Sequence, residues 1–580
     1  MRPAASMRPE NPMIFQLQNV KILMMDYRTS LYTIFLKLKN EDNDFMLVHG
    51  YTGAMDVVTE NVAHFLRKGA LPNQDGTYPV EQETIEALLQ RGYLTTKTPV
   101  QEREVVHKMA NIFHKQSSIS KSFLFLVAYD CNFRCPYCFE NTISHDGKAW
   151  SKKVFTKDAV DRAYAAMLEI EGDRKNHRDT ITLYGGEPLL AENKEVVEYI
   201  VEEGLKRHYK FMAITNGYDL EHFVDVLGPG KIDYLQITVD GPPEKHNARR
   251  THYLHGNSFE KIMSNIMLCL GLGVRIGVRI NTDLSNFDDI KVLTEMFKEY
   301  GFFNDPNFSA YSALVHGDDN DNISCNVVMT NTPSDILESV KSVETPAFEV
   351  EDAGYYDPDS QYIDFDKEEE RYHQISKELS FHYDDDEANP LYEEIDRIQI
   401  LNRGKYIDKY YQDIKENPAN AHMVSCQDFG LRNTILGVLK KGKIMPFKST
   451  FCSAQTSMLI FDPCGDLYTC WETVGLDKHI VGRYQEKVEF YEEELQNWYG
   501  RNISKTPACS KCKYAFFCGG GCQAHALAEG RGYNSSYCDG YPKTFQKVVP
   551  HVYQEYLDQI EAAEQEKEKE QESIQQTAEA

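Results

Sequence analysis

Cys131, Cys135 and Cys138 stand within eight residues of one another, in the run CNFRCPYCFE, directly after the apolar, strand-like stretch from Phe123 to Tyr129. Thiolates this close can hold three irons of a [4Fe–4S] cube, which normally takes four cysteines. The fourth iron is then left open to a small molecule. A structural zinc knuckle would need a fourth Cys or His nearby, and three unrelated buried thiols would not need this spacing.

The length of 580 residues implies roughly two to four domains rather than one core. A formal net charge of −27 argues against a nucleic-acid or anionic-membrane surface. No apolar run is long enough to span a bilayer, and the N-terminal MRPAASMRPENPM lacks a hydrophobic signal core. The expectation is a cytoplasmic protein with reduced thiols, whose fourteen cysteines serve as metal or cluster ligands rather than disulfides.

From Phe123 onward strand-like and helix-like segments alternate. The strand candidates are 123–129, 180–184, 211–215, 234–239, 274–281 and 308–315. Helical faces fall between them, such as Val196, Val197, Ile200, Val201 and Leu205. Six β/α units predict an α/β fold with a parallel sheet, an open wound sheet or a partial barrel. The cysteine run follows the first strand and Gly185-Gly186-Glu187-Pro188 the second. Thr215-Asn216-Gly217 ends the third, and Thr238-Val239-Asp240-Gly241 ends the fourth. The C-terminal ends of parallel strands build the active site in such folds, so four motifs converge on one mouth.

The cysteine spacing, with the aromatic Tyr137 ahead of the last Cys, resembles the cluster motif of the radical S-adenosylmethionine (SAM) enzymes. The resemblance implies a partial (β/α)6 TIM-like barrel over 118–344, a [4Fe–4S] cluster on Cys131, Cys135 and Cys138, and SAM chelated to its open iron. It also implies electron transfer to the sulfonium and release of a 5′-deoxyadenosyl radical. Gly185 and Gly186 would let the backbone approach the methionyl end of SAM. Glu187 would accept a charge-assisted bond from its ammonium, and Asn216 suits the ribose. Thr238 and Arg250 match positions that bind the SAM carboxylate, with Arg249 as a competitor for the inward direction.

Nine cysteines lie beyond residue 420. Seven of them (Cys452, Cys470, Cys509, Cys512, Cys518, Cys522 and Cys538), with Gly465, resemble the pattern of the SPASM domain, here 426–545, which carries two auxiliary [4Fe–4S] clusters. A zinc ribbon is the competing reading of Cys509-x2-Cys512 and Cys518-x3-Cys522. The resemblance assigns Cys509, Cys512, Cys518 and Cys538 to a distal cluster, and Cys452, Cys470 and Cys522 to a proximal one. For the missing proximal ligand Cys426 ranks first and Cys464 second, and an iron left open to substrate is the third reading. Cys269 and Cys325 read as plain core or surface thiols.

Residues 14–96, with strand-like LYTIFLKL and DFMLVHG ahead of helical patterns, resemble the winged-helix leader-peptide recognition unit of peptide-modifying relatives, with a structural N-terminal cap as the competing reading. Such a unit takes a peptide as an added strand, here expected on an edge near 45–49. Residues 345–425 form an acidic insertion or linker with helix near 391–414, and 561–580 a charged tail, frayed helix or disordered. Together these features imply a radical SAM/SPASM maturase that crosslinks or oxidises a ribosomally made peptide. Its expected partners are that precursor peptide and a low-potential electron donor such as flavodoxin or ferredoxin, with no nucleic acid and no membrane. An anaerobic sulfatase maturase, making formylglycine, is the close rival. Those enzymes place an Asp base directly after the cysteine matching Cys470, where this chain has Trp471 and then Glu472, a weak candidate for the catalytic group. A non-catalytic Fe–S electron carrier would not need Glu187, Thr238 and Arg250.

Overall fold

The computed structural model describes residues 2–3, 27–38, 43–73, 77–138, 152–315, 403–421, 423–442 and 444–579. Cys325, the acidic run at 384–387 and most of the 345–425 insertion lie outside the described residues.

The front unit is built on β1 (Thr33–Lys37), β2 (Phe45–His49) and β3 (Met55–Val58), antiparallel and in that spatial order. Side chains alternate between the two faces of a strand. Phe35, Phe45 and Leu47 therefore face one way, into a core with Phe65, Leu66, Ile85 and Leu88 of the helices Glu60–Arg67 and Gln82–Arg91. Ile34, Leu36, Met46 and Val48 face the other way, into a second core with Tyr406, Ile435, Phe517 and Phe545. The edge expected near 45–49 is instead the central strand, because β1 and β3 take both of its sides. Arg2–Pro3 pairs antiparallel along β3, which leaves β1 as the end strand of this sheet.

The helix Pro99–Ser117 follows, opened by a capping box between Thr98 and Gln101 with Pro99 at its first turn. Its Glu102 is fully buried and accepts from Arg28 (2.5 Å), Ser30 (2.5 Å) and Tyr51 (3.0 Å). Tyr32, Tyr51, Val106 and Ala110 pack with Ile503, Cys509, Ala515 and Phe516, so the front unit and this helix rest on the second cysteine region.

The barrel strands are β4 (Ser122–Leu126), β5 (Thr180–Tyr184), β6 (Lys210–Thr215), β7 (Ile232–Thr238), β8 (Arg275–Thr282) and β9 (Phe308–Leu314). All six pair in parallel and in sequence order, with helices such as Lys157–Ile170, Lys194–Lys206 and Phe259–Gly271 between them. This is the partial TIM-like barrel. Both ends of its sheet are extended. β10 (Val424–Cys426) adds in parallel to β9, and β11 (Met458–Phe461) adds in parallel to β4. β12 (Asp466–Tyr468), β13 (Gly482–Arg483) and β14 (Glu489–Phe490) then continue antiparallel from β11. The second cysteine region is thus hydrogen-bonded onto the barrel at its first strand. Cys269 is a core thiol of the barrel.

The helix Arg403–Glu416 buries Tyr406, Ile407 and Tyr410. The tail forms one helix, Tyr541–Glu579, whose last turns are built from the strong helix formers Glu, Gln and Lys.

Removing the carboxylate of Glu102 would leave Ser30 and Tyr51 without their buried acceptor and the half-buried Arg28 without its ion-pair partner. Glu102→Ala should therefore cost about 3 kcal/mol in urea unfolding and expose the front unit to limited proteolysis before the barrel. Unchanged protease resistance would contradict this fastening.

Candidate active site and metal centres

The cysteine loop leaves β4 through Tyr129, whose hydroxyl donates to Asp462 at the hairpin after β11 (2.8 Å). Gly186 N–H donates to Ala128 O, and Glu187 N–H to Asp130 O, both at 2.9 Å. This close approach is what the two glycines permit. A Cβ on Gly186 would stand 2.4 Å from Tyr129 O and 2.5 Å from Asp130 O, and one on Gly185 (φ +145°) 2.2 Å from Ala128 O. Their expected role toward SAM is therefore joined by a second one: they let the β5 turn grip the segment entering Cys131.

Glu187 is buried, and its carboxylate accepts from Leu189 N–H (2.9 Å), Thr215 Oγ1 (2.6 Å) and Asn216 N–H (2.6 Å). Burial pushes its carboxyl up to about 7 against those hydrogen bonds. Asn216 uses its side chain on the protein. Its Nδ2 donates to Asn132 Oδ1 (2.7 Å), and its Oδ1 accepts from Tyr218 N–H (2.9 Å). It thereby steadies the residue next to Cys131.

The two arginines beside β7 are both buried but differ in their partners. Arg249 Nη1 donates to Asp283 (2.7 Å), and its Nε lies 3.5 Å from Asp240. Arg250 Nη1 donates to the Tyr137 hydroxyl (2.7 Å), which in turn donates to Asp240. Among the described residues Arg250 makes no ion pair with a carboxylate, its Nε is buried without a hydrogen-bond partner, and it faces Cys135. Arg249 is already neutralised, so Arg250 is the cation with charge to offer a ligand. Thr238, twelve residues before Arg250, is buried at the end of β7.

The cysteines fall into three groups. Cys131 and Cys135 are electrostatic neighbours, and burial pushes both thiols up. Cys138 follows on the same loop, its N–H donating to Cys135 O. Cys470 is raised by burial first, then by Cys522 and Cys452. Cys538 is raised by burial first, then by Cys518, Cys512 and Cys509. Thiols driven toward the neutral form by burial become thiolates when a metal supplies positive charge, which fits cluster ligation. Among the described residues no three Cys, His, Asp or Glu side chains stand close enough to hold a single metal ion. A cube, which takes one thiolate per iron, spreads its ligands more widely.

Cys426 is not brought to Cys452, Cys470 and Cys522. It lies on β10 at the far end of the sheet from β11, and its charged neighbours are Asp428, Arg403 and Arg432. Cys452, Cys470 and Cys522 are not among those neighbours. Cys464 sits in the hairpin turn, bonded through its N–H to Asp462 Oδ1 (3.0 Å), with Asp462, Lys153 and Asp466 as its charged neighbours. Glu472 lies half-buried two residues beyond Cys470 and is one of the charges acting on it. Trp471, 39% exposed, packs its ring 6.0 Å from that of Tyr184, the last residue of β5. The Cys470 loop therefore borders the barrel mouth. Asp240, Asn132 and Trp471 were missed as site residues. Asp240 and Asn132 lay inside motifs already singled out, and Trp471 was noted only as the residue standing where relatives place an Asp.

Residues 126–303 match the model of the Radical SAM superfamily, whose members bind a [4Fe–4S] cluster and SAM. The chain is 30% identical over 142 residues to a Methanocaldococcus jannaschii protein named as a glycyl-radical enzyme activating enzyme, covering 24% of this chain and 47% of that one. It is 26% identical over 176 residues to an S-adenosylmethionine-dependent nucleotide dehydratase of Psychrobacter lutiphocae, covering 28% and 56%. The chain thus spans about half the length of the curated relatives it matches. Among solved structures it resembles anSMEcpe with bound AdoMet and the Cp18Cys peptide (TM-score 0.46, 17% identity, 74% of this chain and 97% of that one). It also resembles Streptococcus suis SuiB bound to the precursor peptide SuiA (TM-score 0.39, 12% identity, 88% and 98%).

Because backbone oxygens, not a flexible side chain, fill the Cβ position of Gly186, Gly186→Ala must displace the cysteine loop. We expect about 2 kcal/mol of lost stability and a fall in iron bound after anaerobic reconstitution. A variant with full stability and full iron would show that the loop does not depend on this approach.

Proposed function

We propose that this chain is a radical SAM maturase acting on a gene-encoded peptide, with Cys131, Cys135 and Cys138 holding the SAM-binding cluster. The observation that carries the reading is the single mouth at which the cysteine loop, Glu187, Thr238, Arg250 and the Cys470 loop meet. Bound there, SAM and the reduced cluster supply the hydrogen-abstracting radical. The residues of the chain position and neutralise the cofactor. Glu187 accepts the SAM ammonium, Arg250 and Thr238 take its carboxylate, and Asn216 holds the loop from which Cys131 projects. Tyr137 keeps Arg250 aimed toward Cys135 by accepting its hydrogen bond while donating to Asp240.

Two auxiliary clusters complete the proposal, one on Cys509, Cys512, Cys518 and Cys538 and one on Cys452, Cys470 and Cys522. That the charged neighbours of Cys426 and Cys464 include none of the last three favours an iron open to a substrate group, on the side bordered by Trp471 and Glu472. Crosslinking or oxidation of the peptide removes one hydrogen atom and then one further electron and a proton, and clusters held by these thiols would be the acceptor of that electron. A leader segment would add along β1, the end strand of the front sheet. A low-potential flavodoxin or ferredoxin would supply the electron for SAM cleavage.

Anaerobically reconstituted, reduced protein should release 5′-deoxyadenosine from SAM. Changing Cys131, Cys135 and Cys138 together to Ala should abolish this and remove about four of roughly twelve irons. Retained cleavage or undiminished iron would refute the assignment. Single Cys426→Ala and Cys464→Ala variants should keep their iron.

The position of Glu187 predicts a pH dependence. Its carboxyl is neutral below about 7, and the ammonium needs the carboxylate. SAM affinity should therefore rise with pH through 7 and level off above it, while Glu187→Gln binds weakly with no such step. A flat profile in the unaltered protein, measured by anaerobic equilibrium dialysis, would remove Glu187 from the ammonium site.

A further inference from the structure

Arg501 is 1% exposed. Its Nη1 donates to Gly521 O (3.0 Å), and its Nη2 donates to Gly520 O (2.8 Å) and Ser535 O (2.8 Å). Its Nε is buried with no hydrogen-bond partner, and among the described residues no carboxylate pairs with it. Carbonyl dipoles alone do not balance a guanidinium that is fully removed from water, and an uncompensated buried charge is costly. The ionisable groups that face it are Cys509, Cys522, Cys452 and Cys518, two from each thiol set of the C-terminal region.

The backbone explains how one side chain reaches both sets. Cys518 belongs to one set and Cys522 to the other, and between them run Gly519, Gly520 and Gly521, with φ of +80°, +88° and +76°. This left-handed turn suits glycine, and it is also crowded. A Cβ on Gly519 would stand 2.4 Å from Thr450 O, and one on Gly521 only 1.5 Å from Tyr537 O. The turn wraps its carbonyls around the guanidinium. At Gly520 the position of an added Cβ lies 3.6 Å from both Arg501 Nη2 and Cys509 Sγ, so the cation and the thiol flank the same point of the turn. A second cation, Lys448, faces one thiol of each set, Cys518 and Cys452.

We propose that Arg501 is the shared counter-cation of the two auxiliary iron–sulfur clusters, and that its charge raises the reduction potential of both together. The inference rests on the cluster assignment made above. A thiolate-bound cube is anionic and gains one further negative charge on reduction, so a fixed positive charge nearby favours the reduced form. Lys448 acts in the same direction from the rim. A pair of clusters held this way is suited to take one electron as the substrate loses one.

The test is a potentiometric titration of the anaerobically reconstituted full chain, followed by EPR, with iron and zinc counted on the same samples. Arg501→Met, which keeps length and loses charge, should lower the one-electron reduction equilibrium of both auxiliary clusters at least tenfold, about 59 mV. The SAM-binding cluster should stay where it is. Arg501→Lys should stay near the unaltered protein, and Lys448→Gln should shift both clusters in the same direction by less. If Arg501→Met sheds auxiliary iron, retention of that iron by Arg501→Lys supports the proposal, and equal loss in both variants assigns Arg501 to shape and overturns it. Intact iron with neither potential moved, or only one, also overturns it. An unaltered protein holding zinc or no metal at the C-terminal thiols would instead remove the cluster assignment on which the proposal rests.

Discussion

Asp240 is fully buried at the exit of β7, and its carboxylate joins three parts of the mouth. It accepts from the Tyr137 hydroxyl on the cysteine loop, accepts from Asn281 N–H on β8 (3.0 Å), and pairs with Arg249. Its own backbone carbonyl accepts from Asn286 (2.8 Å). A charge this deep persists only when its lone pairs are filled, so the loop bearing the three thiols is tied to the centre of the barrel rather than hung from its rim. The same arrangement uses up Arg249 and leaves Arg250 for a ligand. Two adjacent arginines that look equivalent in sequence acquire different roles from one carboxylate.

Much of the barrel was legible in the sequence because its strands are buried on both faces and read as short apolar runs. The run 180–184 is the observed strand, and the other five differ from theirs by a few residues at the ends. The motifs at the strand exits were legible for the same reason, since their order is the order of the strands. What the sequence did not show is pairing between distant segments. Val424–Cys426 is three residues long, and nothing local says that it lies beside β9. The front unit shows the same limit: that the strand at 45–49 is central and not an edge depends on Met55–Val58.

The C-terminal thiols were legible as two sets by resemblance, and the structure groups their side chains along the same division. The cation between them was not legible. Arg501 lies in an ordinary-looking segment, and its burial follows from the three-glycine turn closing over it. Glycines that look like a flexible linker are instead held by Thr450 and Tyr537 carbonyls at distances no other residue tolerates. The path from the barrel mouth to the C-terminal thiols is also tertiary in origin. It is made by β11 pairing with β4 and by Trp471 packing on Tyr184.

On the proposed function one chain assembles three clusters, of which a single iron takes SAM. Mössbauer spectroscopy of the iron-57-reconstituted protein, before and after SAM is added, tests it most directly. The account predicts signals for three [4Fe–4S] clusters and a change in the spectrum of about one iron in twelve on adding SAM. A single cluster, or a spectrum that SAM leaves unchanged, would contradict it.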